Sequence, residues 1–281
     1  VLASSMVCNF RLTLTSGTPV TTSDVTAAGT LYCSPYKGNQ IGLYDGSAEW
    51  IVRASAEFSL ALTLTSGKPY DIFCYDNSGT PTLESLVWTN DTTRATALTL
   101  QNGILVKTGA TTRRYLGTIY ATGANVTEDS LAKRNVWNYY NRILRNMRVV
   151  ETTDSWTYTT ATWRQANGAA ANQVEFMLGY SEDIISASVY SLFVNTSGNI
   201  AAGVGIGLDS TSVDSSHVRI ATPLQDTTNA DPVSAFYRSA MPVGRHTLVW
   251  LERSVATGTT TWYGDNADIY TQSGIIGELM S

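Results

Sequence analysis

Side chains able to perform acid–base chemistry are few and scattered along the chain. The acidic candidates are Glu182 with Asp183, Asp209 with Asp214, and Glu175 taken together with Glu182. Hydrolysis of a glycosidic bond requires two carboxyl groups about 5 to 10 Å apart. Asp209 and Asp214 carry oxygen atoms of the kind that Ca²⁺ accepts, but the EF-hand pattern is absent. Acids in such contexts usually form turns or face solvent, so the sequence favours structural roles for all of them.

The sequence gives equally little support for a nucleophilic catalytic site or a metal site. The two histidines, His217 and His246, lie in strand-like stretches, and no G-x-S-x-G elbow accompanies the serines. The three cysteines, Cys8, Cys33 and Cys74, are far apart in sequence and form no C-x-x-C pair. This spacing argues against a zinc site and against a disulfide framework. We therefore predict no catalytic residue, no cofactor and no metal site.

One glycine-rich string imitates a nucleotide-binding loop. Gly203-Val204-Gly205-Ile206-Gly207 alternates glycines but lacks the final spacing of the dinucleotide fingerprint, and no helical pattern follows it. Alternate glycines leave one face of a strand bare, as when another backbone packs closely on it. The string therefore predicts a closely packed strand.

Aromatic side chains are the feature least explained by a plain soluble fold, with 7 Trp and 15 Tyr. Such side chains suit protein interfaces and stacking on sugar rings. The predicted subunit-interface set is Trp137, Tyr139, Tyr140, Arg142, Arg145 and Arg148. The candidate glycan-stacking set is Trp156, Tyr158, Trp262 and Tyr263. The alternative is that the aromatics fill the core and the arginines form a solvated face.

The elements that must position these residues read as short strands. Apolar and hydroxyl residues alternate with a period of two, and the string LTLTSGxP occurs at 12–19 and again at 62–69. Asp45-Gly46 and Asn102-Gly103 are hairpin signals. Further strands are predicted at 173–180, 185–195, 217–222 and 245–251. The sequence predicts an all-β fold of two antiparallel β-sandwich or jelly-roll modules.

A single short helix is predicted near 128–140. Thr127 is a plausible N-cap, and Glu128 and Asp129 follow it where acids favour the positive end of the helix dipole. The stretch 142–151 is predicted to be a strand that follows the helix, and the alternative is that 136–147 continues it, since Val136, Tyr140, Ile143, Leu144 and Met147 recur at helical spacing. The predicted modules are an N-terminal β module, 1–112, and a C-terminal β-sandwich or jelly-roll module, 113–281, which includes the helix.

Composition excludes several classes of function. Only 15% of residues are charged, the net charge is −5, and 39 Thr and 27 Ser supply much of the polarity. No broad basic field is available to neutralise phosphates, so we predict no nucleic-acid partner. No apolar run reaches the roughly 18 to 20 residues that span a bilayer, and the first residues lack the basic flank of a signal peptide. The chain is therefore expected to be soluble, without a membrane partner and not secreted by that route.

Short strings between residues 10 and 180 carry a family resemblance. They include Tyr115-Leu116-Gly117-Thr118, Trp137-Asn138-Tyr139-Tyr140-Asn141-Arg142, Asp154-Ser155-Trp156-Thr157-Tyr158 and Trp163-Arg164-Gln165-Ala166-Asn167. In these strings the sequence resembles a broad family of tailed-bacteriophage virion proteins. The resemblance implies a structural component of the particle and carries over no catalytic residue.

The resemblance and the composition together predict a virion protein that acts by assembly and packing, as a head fibre, capsid decoration or tail fibre. Its expected partners are copies of itself, as a homotrimer, and other virion proteins. Unpaired cysteines fit assembly in the reducing bacterial host cytoplasm. One alternative is a carbohydrate-binding adhesin that contacts host glycans through the glycan-stacking set. A second is a polysaccharide depolymerase that uses Glu175 and Glu182.

Overall fold

The chain folds almost entirely into strands. The computed structural model describes residues 2–221, 227–267 and 269–281, with backbone only for residues 2 and 3. Strands account for 56% and helix for 2%, which confirms the predicted all-β class. Helical structure in these ranges consists of α1 (Leu2–Met6) and a 3-10 turn (Ala166–Gly168). Neither has the length or the apolar character of a membrane-spanning segment.

The described residues form twenty-six strands. The first fifteen are β1 (Phe10–Thr13), β2 (Val25–Ala28), β3 (Thr30–Pro35), β4 (Gln40–Tyr44), β5 (Trp50–Ala54), β6 (Phe58–Ala61), β7 (Pro69–Asn77), β8 (Thr80–Asn90), β9 (Thr93–Arg94), β10 (Leu98–Gln101), β11 (Ile104–Lys107), β12 (Ala110–Gly123), β13 (Val126–Asp129), β14 (Lys133–Arg134) and β15 (Val136–Asn138). The remaining eleven are β16 (Leu144–Val150), β17 (Ser155–Thr157), β18 (Arg164–Gln165), β19 (Gln173–Leu178), β20 (Ile184–Asn195), β21 (Gly203–Leu208), β22 (Val218–Ile220), β23 (Asp231–Ala240), β24 (Gly244–Arg253), β25 (Thr260–Tyr263) and β26 (Gly274–Met280).

The strands form four sheets within the described residues. A fourteen-stranded sheet runs from β18 and β24 through β12 to β9, and small sheets are built from β1, β3 and β6 and from β4 and β5. A seven-stranded sheet has the order β16-β26-β20-β23-β22, with β25 paired to β20 and β17 paired to β25. Its strand pairs are all antiparallel. Antiparallel pairing allows one face of this sheet to be buried and the other to meet solvent.

The C-terminal half is a sandwich in which the seven-stranded sheet packs on β19, β21 and β24. Inward residues of the seven-stranded sheet, such as Val189 and Ile275, share one buried cluster with Phe176, Ile206 and Trp250 from the other layer. Burial alternates along β20 at every second residue, as expected for a strand with one face in a core. This packing fixes which side chains of the seven-stranded sheet point outward.

The predicted boundary between modules falls inside a strand. β12 is continuous from Ala110 to Gly123 and pairs with β7 on one side and with β15 on the other. The larger core cluster joins Phe73 and Tyr115 to Trp137 and Phe176, and thus takes residues from both sides of 112/113. The division into 1–112 and 113–281 stays a prediction.

The position predicted for the helix is wrong. Residues 126–138 form β13, β14 and β15, and the following stretch 144–150 is a strand, β16, as predicted. Asp129 does not lie at a helix terminus: its carboxylate accepts hydrogen bonds from Arg134 and Arg145. The backbone of β15 pairs with β12, and such tertiary pairing outweighs a weak helical propensity.

Most predicted turns and strands are confirmed. Asp45-Gly46 lies in the turn between β4 and β5, and Asn102-Gly103 joins β10 to β11 with positive φ at both residues. Strands cover the cores of the predicted ranges 173–180, 185–195 and 245–251. Of the predicted strand 217–222, residues 218–220 form β22, and residue 222 lies outside the described residues. The bare-face prediction for β21 is also confirmed, because a Cβ at Gly207 would collide with the backbone oxygen of Ser210.

Candidate functional site

The acidic side chains considered for catalysis are engaged within the chain. Glu175 is buried and accepts hydrogen bonds from Arg245 and from Asn135, the latter at 2.9 Å. Glu182 is ion-paired with Arg142. Both carboxylates are thus engaged with arginine side chains of the same chain. The described residues contain no group of three or more ligating side chains placed to hold a metal ion.

His246 is buried, with both ring nitrogens close to acceptors. Nδ1 lies 2.8 Å from Asp209 Oδ2, and Nε2 lies 3.1 Å from the Pro242 carbonyl oxygen. Partial burial acts to raise the pKa of Asp209, but the hydrogen bonds from His246 and from the Thr247 backbone outweigh it and hold that pKa below its usual range. Through its contact with Asp209, His246 links β24 to the turn after β21.

The fold buries some members of the predicted subunit-interface set and leaves others at the surface. Trp137 is fully buried in the core, so its assignment to a subunit contact is wrong. Arg145 is also buried, and its guanidinium donates to Asp129 at 3.2 Å; its assignment is wrong for the same reason. Tyr140 lies under the Arg114 guanidinium at 4.5 Å, and burial raises its pKa to about 12.

The remaining members of that set reach the surface. Tyr139 is partly buried among other aromatic rings, including that of Tyr180 at 5.8 Å. Arg142 is partly exposed and ion-paired with Glu182 and Asp183. Arg148 is exposed on β16. A contact of these three with another subunit stays a prediction.

The predicted glycan-stacking set is not an exposed aromatic surface. Trp262 is fully buried and its ring packs on Phe193 at 5.5 Å, while Trp156 is 8% exposed. The Trp156 indole donates to Glu252 at 2.6 Å. Burial raises the pKa of Glu252, although this hydrogen bond and the ion pair with Arg164 oppose the change. Glycan stacking by Trp156 and Trp262 is therefore wrong, because core packing takes both rings.

The other two aromatics of this set are partly exposed. The Tyr158 hydroxyl bonds Thr162, and its ring lies 3.9 Å from the guanidinium of Arg164. Tyr263 is paired in β25 with Ser155 and with Leu192. Their role in glycan binding stays a prediction.

The most distinctive surface is the side of the seven-stranded sheet that points away from the core, which we call the outer face. It carries the even-numbered residues of β16, β26, β20, β23 and β22, because the odd-numbered residues of the first four strands point mainly into the core. Among the described residues sixteen large hydrophobic side chains are exposed, and eight of them lie here. These eight are Leu144, Val150, Ile184, Tyr190, Val218, Ile220, Phe236 and Ile276. Contiguous exposed apolar patches of this kind mark interaction sites.

Strand register orders this face into rows across the sheet. One row is Asn146, Glu278, Ser186 and Arg238. The next is Arg148, Ile276, Ser188, Phe236 and Val218. The third is Val150, Gly274, Tyr190, Ser234 and Ile220. A polar row thus lies beside two largely apolar ones.

The outer face also carries the arginine side chains that lack a partner within the described residues. Of the fourteen arginine side chains, twelve donate hydrogen bonds or form ion pairs within the chain. Across the ranges that the structure describes, Arg148 and Arg238 are the two without such a partner. Both lie on the outer face. The other twelve guanidinium groups are paired within the chain, so these two are available to a binding partner.

Two open depressions indent the outer face. One, of about 430 Å³, is lined by Tyr190, Ile220, Pro232, Tyr270 and neighbouring hydroxyl and amide residues, with no charged side chain in its lining. The other, of about 300 Å³, lies between β16, β26 and β20 and includes Arg148 and Glu278. The first could receive a neutral ligand, and the second offers charges of both signs.

The sequence contains a signal for this face that differs from simple alternation. The doublets Val149-Val150, Ile184-Ile185 and Ile275-Ile276 each place an apolar residue on both faces of a strand. A half-solvated strand has a polar residue at one of the two positions. Apolar doublets in three strands of one sheet predict a second buried or interacting face.

Comparison with known proteins assigns the chain to no family. No protein-family model matches the chain, and no curated protein does. A sugar-binding C-terminal domain of EclA aligns with 41% of this chain and 78% of its own length, at 9% identity and a TM-score of 0.23. A β-porphyranase of glycoside hydrolase family 86 from Bacteroides plebeius aligns with 93% of this chain and 37% of its own length, at 8% identity and a TM-score of 0.26.

A viral structure gives a similar alignment. The structure of infectious bursal disease virus, Gx strain, matches over 92% of this chain and 64% of the viral one, at 11% identity and a TM-score of 0.27. The chain therefore spans about a third of the β-porphyranase and just under two thirds of the viral chain. Similarities at this level assign neither an activity nor a partner.

Proposed function

We propose that this protein is a structural component of the exterior of a tailed-bacteriophage virion, and that it works by packing against other protein surfaces. The observation that carries the proposal is the outer face, with eight exposed large hydrophobic side chains and two unpartnered arginines. Apolar side chains gain about 25 cal/mol for each Å² removed from water. A protein that assembles has use for such a face, and the resemblance of the sequence to phage virion proteins supports the location.

The test is to find the chain in the particle. Mass spectrometry of gradient-purified virions should detect it at a fixed copy number. Imaging with a bound antibody fragment raised against it should mark repeated positions on the exterior. Positions at every capsomer would indicate capsid decoration, and a few copies on the tail would indicate a fibre. Absence from purified particles, with the protein present in infected cells, would contradict the proposal.

A second function, carbohydrate binding, is favoured by one observation. The depression of about 430 Å³ presents Tyr190 and Tyr270 beside hydroxyl and amide groups, without a charged side chain in its lining. Neutral sugars are recognised by aromatic faces combined with a few polar groups. This function requires that a glycan array detect binding by the wild type, that Tyr190→Ala remove it, and that Tyr180→Ala, at an exposed tyrosine outside the lining, leave it unchanged. An array without wild-type binding would exclude it.

A further inference from the structure

We infer that the outer face is a two-fold interface between two copies of this chain, with β20 at its centre. The inference rests on the proposed function, because it names the surface and the partner through which the packing takes place. It follows from the order of residues across the sheet, from the unpartnered side chains of Arg238 and Glu278, and from the size of the face.

Two sheets packed face to face can be related by a two-fold axis that lies between them and runs along β20. Such an axis keeps each row over the same row of the second copy and exchanges strands equidistant from β20. Strand β26 then lies over β23, and β16 lies over β22. The residues that meet are thus fixed by the registers of the single chain.

The polar row becomes complementary in charge under this operation. Glu278 lies one strand to one side of β20, and Arg238 lies one strand to the other side, with Ser186 between them. Glu278 of each copy therefore faces Arg238 of the other, and two ion pairs form. In the single chain neither side chain has an ion-pair or hydrogen-bond partner within the described residues. Partial burial at an interface strengthens such pairs relative to open solvent.

The apolar rows also match. Ile276 faces Phe236 of the second copy, and Val150 faces Ile220 of the second copy, each twice. On the axis itself Ser188 faces its own counterpart, and this small side chain permits close approach. Tyr190 also meets its counterpart, as an aromatic pair. Apolar side chains thus oppose apolar ones in the Ile276–Phe236 and Val150–Ile220 pairs, whereas Arg148 at the edge of the sheet opposes Val218.

The outer face has an appropriate size. Five strands about 4.8 Å apart and about seven residues long at 3.3 Å each give roughly 500 Å² in projection. Stable interfaces bury about 800 Å² of accessible surface on each partner, and the accessible area of a side-chain-covered face exceeds its projection. The face is therefore large enough for a small, specific two-fold contact. A two-fold pair replaces the homotrimer expected from the sequence as our proposal.

Sedimentation equilibrium of charge variants tests the inference. Wild-type protein should form dimers, and Glu278→Arg and Arg238→Glu should each raise the dimer Kd at least about tenfold, since each places two like-charge pairs at the interface. The double variant should restore the Kd to within about threefold of wild type. Glu49→Arg is the matched control, because it makes the same charge change on the exposed turn between β4 and β5 and should leave the Kd unchanged.

Circular dichroism of each variant establishes that it is folded. A wild-type monomer at the highest soluble concentration, a trimer, or a double variant no tighter than the single variants would overturn the inference. These outcomes leave the proposed function testable on its own. A monomeric chain found at repeated positions in virions would refute the two-fold interface and support the virion role, whereas a dimer absent from virions would do the reverse.

Discussion

Replacing Asp129 by asparagine should destabilise the fold strongly, because this carboxylate holds together a buried cluster of arginines. Asp129 is 5% exposed and accepts hydrogen bonds from Arg134 at 3.0 Å, Arg145 at 3.2 Å and the Thr21 hydroxyl at 3.0 Å. Burial and then the neighbouring charge of Arg145 lower the pKa of Arg11 to about 10, and Asp129 acts against this shift. The amide variant keeps the shape of the side chain but leaves the guanidinium groups without a counter-charge.

The size of the effect follows from burial. Breaking a buried ion pair by removing one partner costs about 3 to 5 kcal/mol. With a urea m-value of about 3 kcal/mol/M for a chain of this length, the midpoint of unfolding should fall by about 1 to 2 M. Urea titration followed by tryptophan fluorescence at pH 7 measures it.

A more exposed pair provides the control. Lys107 pairs with Glu84 at 2.7 Å, the two side chains are 22% and 27% exposed, and Arg113 also pairs with Glu84. Lys107→Met should therefore change the free energy of unfolding by less than about 1 kcal/mol. A loss below about 1 kcal/mol in Asp129→Asn as well would refute the reasoning, because it would show that the arginines do not depend on this carboxylate.

Three further predictions concern acid, the indole of Trp156 and the thiols. The pKa of Asp209 is lowered in the folded state, so its contribution to stability is present above about pH 4 and is lost as the pH falls through the folded value. Unfolding free energies at pH 5 and pH 3 should therefore differ less in Asp209→Asn than in wild type, and equal differences would contradict this. Trp156→Phe removes the donor to buried Glu252 and should cost about 1 to 3 kcal/mol in urea unfolding, whereas an unchanged midpoint would contradict that role. Burial raises the pKa values of all three cysteine thiols, so a thiol reagent should label them within minutes only after denaturation, and rapid labelling of native protein would disprove their burial.

Local signals in the sequence predicted much of the fold. The period-two alternation in β20 and the Asn102-Gly103 turn depend on neighbours along the chain, and the structure confirms both. The prediction of a helix near 128–140 was wrong because side chains in this stretch bond to residues beyond it. Asp129 accepts a hydrogen bond from Arg145, and Arg134 donates to the Asn146 carbonyl. A pattern of neighbouring residues in the sequence carries no information about such partners.

The candidate site was harder to predict, for a physical reason. Aromatic character alone does not distinguish a core side chain from an exposed one, and Trp137, Trp156 and Trp262 all lie in the interior. The outer face required the registers of β20 with β23 and β26, which bring residues about 50 and 90 positions apart into one row. The sequence points to Arg148 but not to Arg238, because only the fold shows that both side chains lack partners among the described residues.

Cross-linking at Ser188 tests the central claim most directly. Under the proposed symmetry the β-carbons of Ser188 in two copies face each other between sheets about 10 Å apart, so Ser188→Cys should be joined to itself by a short bis-maleimide. The native cysteines are buried, and Val52→Cys on the exposed side of β5 serves as the control. The account predicts a covalent dimer for Ser188→Cys and none for Val52→Cys. A failure of Ser188→Cys to cross-link, or equal cross-linking of both variants, would contradict it.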